Sequence, residues 1–193
     1  LNGGLLLSLL AGIPLALLLF WLAPVFLPLI KDDAELLGQM IPYYRIRVLA
    51  MASIGCNFAF RGFWNGTNRS KLYLNTLLVV HGSNLLLNWV LIFGKLGFPA
   101  MGLEGAALAS AVATCLGTAT YVFLGLRHAR SQGFLDRIPS MEELLQLSRL
   151  SIPAGIQQSF LAAGFVALFW IVGRIGATEM AAANVIMNVN LVG

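Results

Sequence analysis

Residues 72–94, LYLNTLLVVHGSNLLLNWVLIFG, run for 23 positions without an acid or a base. Coiled as an α-helix they reach about 34 Å, enough to cross the roughly 30 Å hydrocarbon core of a bilayer. The rest of the chain makes the same demand. Its 193 residues are 59% hydrophobic and only 10% charged, with a mean hydropathy of +0.83. A soluble domain carries about 25% charged residues, so this chain has too few to cover a surface in water. The expected fold class is all-α, a polytopic transmembrane helix bundle.

Uncharged runs mark the other spans. The first is 1–30, interrupted by Pro14, Pro24 and Pro28, each of which removes a backbone donor and predicts a bend or a broken ladder. The second lies between Arg45 and Arg61, with only thirteen residues separating Arg47 from Arg61. It reaches full length only if Arg45 and Arg47 sit within the helix or snorkel to the interface. Residues 105–126 form a fourth span after 72–94, 150–173 a fifth, and 180–193 open a sixth. The chain starts on Leu and its last run is too short for a span, so it reads as a piece of a longer protein. The division expected is 1–130 with four spans, a linker at 131–149, and the start of a second helical block at 150–193. In the linker Ser140 and Glu143 have capping-box spacing, which predicts an interfacial helix from Ser140.

Charge orders these spans in the membrane. Loops two and four hold Arg61, Arg69, Lys71, Arg127, Arg130, Arg137 and Arg149, against Lys31, Lys95 and Arg174 in the odd loops. By the positive-inside rule, loops 61–71 and 127–149 and the N-terminus are cytoplasmic. The net charge of +4 therefore reports orientation and does not call for nucleic acid. No zinc-binding His–Glu pair, nucleophile elbow or Walker sequence occurs, so no enzyme, metal site or cofactor is expected. Cys56 and Cys115 sit in apolar runs as small packing residues.

The polar residues inside the spans are few. His81, Asn84 and Asn88 fall at i, i+3 and i+7, one face of one helix. Such a stripe is either interhelical glue, worth about 0.6 to 2 kcal/mol per hydrogen bond, or the wall of a hydrated ion path. Gly102, Gly105, Ala106 and Ala109 read as a close helix contact, and Glu104 and Glu179 as interfacial acids.

Three stretches carry a family resemblance. NLLLNWVLIFGKLGFPAMGLEGAALAS (84–110), YYRIRVLAMASIGCNFAFRGFWNGTNRSKLY (43–73), and LSIPAGIQQS with GRIGATEMAAANVIMNVN (150–159 and 173–190) resemble the multidrug and toxic compound extrusion (MATE) family. The resemblance implies a twelve-helix antiporter of two six-helix lobes, with this chain running from the third helix into the eighth. It implies export of small organic, often cationic, compounds in exchange for protons or sodium ions, by a monomer in the inner membrane. Some branches place an asparagine at the Asn84 position, an aspartate at the Asn88 position and a threonine at the Ser110 position. With an aspartate on the first helix these form the ion site. Here Asn88 departs from the aspartate, so the titrating carboxylate is expected on the first helix. Another branch has a glutamate where Leu161 stands. Gln157, Gln158, Asn184 and Asn188 remain as neutral polar groups for the substrate cavity or for glue. A lipid-linked precursor flippase of the same superfamily would need several cavity cations, for which only Arg45 and Arg47 qualify, and a membrane scaffold would use its amides only as glue.

The charge pattern makes a prediction about sidedness. Cysteines introduced at Arg69 and Arg130 react with an impermeant thiol reagent from the cytoplasm, and one at Lys95 from the opposite side. Labelling of positions 69 and 95 from the same side refutes the orientation.

Overall fold

A computed structural model describes residues 1–30, 34–176 and 185. The described chain is helical and contains no strand: α1 (Asn2–Ile30), α2 (Ala34–Leu49), α3 (Met51–Gly66), α4 (Ser70–Phe93), α5 (Gly102–His128), a short 3-10 turn at Arg130–Gln132, and α6 (Met141–Ile175). Four of these helices are long and apolar enough to cross a membrane: α1, α4, α5 and α6. The expected second span is instead the tandem of α2 and α3, two 16-residue helices. Ala50 separates them, yet Ile54 N still donates to Ala50 O at 3.0 Å, so the ladder all but continues. The sixth span, with Asn184 and Asn188, lies outside the described residues.

The chain forms two units, residues 1–144 and 145–193. In the first, α1 packs along both α2 and α3, while α5 packs on α4, α2 and α3. Contact rests on small residues. A Cβ on Gly12 would come within 3.0 Å of Ala52 Cα, and one on Gly55 within 2.9 Å of Ser8 Cβ. Along α5, Gly105, Ala109, Ala113, Gly117, Tyr121 and Gly125 recur every fourth residue and are all buried. Two aromatic and aliphatic clusters close the ends: Phe60, Trp64, Tyr121, Ala129 and Phe134 at one, and Val90, Leu91 and Ala109 at the other.

Local sequence sets the turns. α4 stops at Gly94, whose φ of 65° suits glycine, and Lys95 N caps Val90 O at 2.9 Å. Met101 N then returns to Leu91 O at 2.9 Å, which fixes the register of α5 against α4. At the opposite end Asn2 pins the start of α1 to the segment after α5, donating to Gly133 O and Arg137 O and accepting from Leu135 N. Arg69 donates to His128 O at 2.8 Å. Arg69 and Arg130 therefore lie at one end of the first unit and Lys95 at the other.

The helix expected from Ser140 starts with the expected box: Glu143 N donates to Ser140 Oγ at 3.2 Å, and Ser140 N to Glu143 Oε2 at 3.0 Å. Arg137 pairs with the same Glu143 carboxylate. The helix then continues through Pro153 to Ile175, 35 residues without a break.

α1 is likewise continuous through Pro14, Pro24 and Pro28. Each proline lacks the N–H that would have met the carbonyl four residues earlier. For Pro24 that carbonyl is Phe20 O, and Arg45 Nε from α2 donates to it at 3.3 Å, with the guanidinium 4.9 Å from the Phe20 ring centroid. Phe20 stands ten residues before the end of α1, about 15 Å along the axis. Of the two placements open to Arg45, the structure shows it turned onto α1 at Phe20. A carbonyl with no partner in hydrocarbon costs enough to hold the cation there.

This link is separable by a double-mutant cycle in the full-length protein. Arg45→Ala is expected to cost about 1–3 kcal/mol of stability in unfolding measurements, because Phe20 O loses its donor. In a Pro24→Ala background, where residue 24 regains its N–H, the same change costs about 1 kcal/mol less. Equal costs in both backgrounds would show that Arg45 acts some other way.

Candidate functional site

Asn84 and Asn88 stand one turn apart on α4, facing Ser110 on α5. Asn88 Nδ2 donates to Asn84 Oδ1 at 3.0 Å, and Asn84 Nδ2 donates to Ser110 Oγ at 3.2 Å. The close approach that allows these bonds comes from Gly105, five residues before Ser110, where a Cβ would meet Leu91 O at 2.7 Å. His81, the third member of the expected stripe, is exposed and makes no hydrogen bond to this group. At about 100° per residue His81 stands about 60° around α4 from Asn84, the member that bonds Ser110, and about one turn from it along the axis.

One atom of the group is left over. Asn88 Oδ1 is buried and accepts no hydrogen bond. Buried amide oxygens are satisfied in the great majority of cases, and one left alone costs about 1–3 kcal/mol. The structure therefore presents a hard oxygen, beside a second amide and a hydroxyl, with capacity for a donor or a small cation.

A second polar group continues the first along α5. Thr118 Oγ1 donates to Asn57 Oδ1 of α3 at 2.8 Å, and Asn57 Nδ2 donates to Thr114 O at 3.2 Å. Thr114 Oγ1 donates to Ser110 O at 2.8 Å, joining the two groups, and Ser53 Oγ lies 3.5 Å from Cys115 Sγ. Sequence reasoning missed this extension. Its signal was present: Ser110, Thr114 and Thr118 are spaced by four, as are Ser53 and Asn57. No Asp, Glu, Lys or Arg takes part in these hydrogen bonds, so the ladder is neutral. Among the described residues no three His, Cys, Asp or Glu side chains gather as a metal site.

Gln157 and Gln158 lie exposed on α6 in the second unit. Asn184 and Asn188 are outside the described residues.

Comparison with known proteins joins these observations. The MatE family model matches residues 1–90, which include Asn57, Asn84 and Asn88. The chain belongs to the multidrug and toxic compound extrusion family. It is similar to the probable multidrug resistance protein NorM of Brucella suis, 32% identical over 67% of this chain and 28% of the relative. The probable multidrug resistance protein YoeA of Bacillus subtilis is 31% identical over 76% of this chain and 33% of its own length. The multidrug resistance protein NorM of Vibrio cholerae is 27% identical over 96% of this chain and 41% of its own length. The chain thus spans about a third of the length of these MATE-family relatives. Its apolar helices and its family make it part of a multi-pass membrane protein.

The Asn84–Ser110 bond depends on glycine at 105, and that dependence is measurable. Gly105→Ala is expected to destabilise the full-length protein by about 1–3 kcal/mol, since its Cβ would press on backbone that cannot yield. Gly82→Ala, with nothing within 4 Å of the added Cβ, is expected to be neutral or stabilising by up to about 1 kcal/mol. Thermal unfolding in detergent compares the two, and equal losses would refute the close contact.

Proposed function

We propose that this chain is part of a secondary antiporter that exports small organic, often cationic, compounds in exchange for protons or sodium ions. The observation that carries the reading is the Asn88–Asn84–Ser110 chain ending in a buried carbonyl oxygen without a donor. Buried amide oxygens used as glue are satisfied in the large majority of cases, so the open acceptor supports an ion path over packing. The multidrug resistance named for the relatives supports transport as the activity. The charge asymmetry supports loops 61–71 and 127–149 and the N-terminus on the cytoplasmic side of the inner membrane.

On this reading the ladder is the neutral part of the coupling site. An amide ligates a sodium ion or accepts a hydrogen bond, but takes up no proton near neutral pH. A carboxylate elsewhere in the lobe carries the charge, and no cofactor beyond the coupling ion takes part. Transport then proceeds by rocking of the two lobes around a central cavity, in a monomer. Arg45, one of two cations that a pyrophosphate-binding flippase would recruit, is engaged by Phe20 O.

The test is efflux of a fluorescent organic cation from cells expressing the full-length protein. Asn88→Leu is expected to lower efflux several-fold while costing only about 1 kcal/mol of stability. Asn88→Asp is expected to keep transport and to change its pH profile, because it adds a titrating carboxyl to a neutral group. Normal efflux by the Leu variant at normal expression would reduce these amides to packing.

A further inference from the structure

The end of the first unit that carries Arg69 has two neighbouring concavities, one of which reaches Asn57 of the ladder at its inner end. One is a cup of about 400 Å³ lined by Asn68, Arg69, Ser70, Lys71, Leu72 and His128. The other is a groove of about 160 Å³ between α3 and α4, floored by Tyr121 of α5. Ile54, Phe58, Leu77 and Val80 make most of its wall apolar, with Asn57 and Thr76 as the polar exceptions, and Arg61 lies with its guanidinium carbon 5.2 Å from the centroid of the Tyr73 ring. Leu72 lines the cup and Tyr73 the groove, so the two meet at consecutive residues of α4. No acid lines either one.

The two have opposite character along the helix axis. Arg61 and Tyr73 stand nearest the α3–α4 turn, while Ile54 and Val80 lie seven residues deeper on each helix, about 10 Å. Lys71 is exposed, and Arg69 gives one N–H to His128 O, leaving further donors. A ligand that satisfies both concavities has a negative head and an apolar tail. Basic pockets between spans at the membrane surface hold anionic headgroups in this way, and each cation near the surface is worth about 1 kcal/mol toward them.

We propose that the α3–α4 turn is a binding site for an anionic phospholipid, with the phosphate held by Arg61, Arg69 and Lys71 and an acyl chain lying along Ile54, Phe58, Leu77 and Val80. The site needs a membrane-spanning bundle and nothing from the transport cycle, so it stands apart from the antiport reading.

Native mass spectrometry of the full-length protein, released from bilayers of equal parts phosphatidylglycerol and phosphatidylcholine, tests it. The wild type is expected to retain phosphatidylglycerol over phosphatidylcholine. Arg61→Gln with Lys71→Gln is expected to lower that preference about tenfold, with Arg69 kept because it also ties α4 to α5. Arg127→Gln with Arg130→Gln removes the same charge at the same end, outside both concavities, and is expected to leave it unchanged. Leu77→Trp keeps every charge and fills the groove, so it is expected to lower the preference even if the charge variant fails to fold. Equal retention by the Arg61/Lys71 variant, equal loss by the Arg127/Arg130 variant, or displacement of the lipid by inorganic phosphate at fixed ionic strength would each overturn the proposal.

Discussion

Two helices in a bilayer gain nothing by hiding apolar surface from each other, because lipid tails are as apolar as leucine. What holds them is contact distance, and α5 is built for it. Gly105, Ala109, Ala113 and Gly117 bring the backbones of α4 and α5 together, with a hypothetical Cβ at Gly105 only 2.7 Å from Leu91 O. At that separation the short polar side chains of Ser110 and Thr118, one position along, reach partners on α4 and α3, and the Thr114 carbonyl accepts from Asn57. Had the stripe been leucine, the helices would stand farther apart and Asn84 would face Ser110 across a gap. The polar ladder is thus a consequence of the small-residue stripe beside it.

The same solvent explains why backbone defects are repaired from neighbouring helices. Water would patch the carbonyl that Pro24 leaves open, but at the depth of Phe20 the available donor is a side chain. Arg45 supplies it and secures its own place in hydrocarbon by doing so. A proline that looks like a helix breaker and an arginine that looks misplaced are joined by one hydrogen bond, which gives the open carbonyl a donor and the cation an acceptor. Their twenty-one-residue separation in sequence hides that pairing.

Legibility followed range. The helical fold, the span limits near Gly94 and Gly102 and the Ser140–Glu143 box depend on composition and neighbours within four residues, and these were readable. The contact of Asn84 with Ser110 came from the family resemblance, since spacing alone left glue and ion path equally open. The Asn57–Thr118 bond joins residues 61 apart and required knowing which face of α3 meets α5. His81 lay on the right helix but just off the contact face, a distinction of a few tens of degrees that residue spacing does not resolve. The break at Ala50 has no proline or glycine at its centre to announce it.

An all-amide, all-hydroxyl ladder has a chemical consequence of its own. Every member is neutral over the physiological range, so its geometry stays the same when a nearby carboxylate gains or loses a proton. Only the occupancy of its open acceptor, Asn88 Oδ1, need change. As the coupling site proposed above, it responds to charge placed by other parts of the molecule without carrying charge itself. Desolvating it costs far less than desolvating an ion, which lets it sit between tightly packed helices where a free carboxylate would have to be neutralised. On the proposed reading, an asparagine at 88 supplies a permanent, inexpensive oxygen in place of a titrating group and leaves the charge to a different helix.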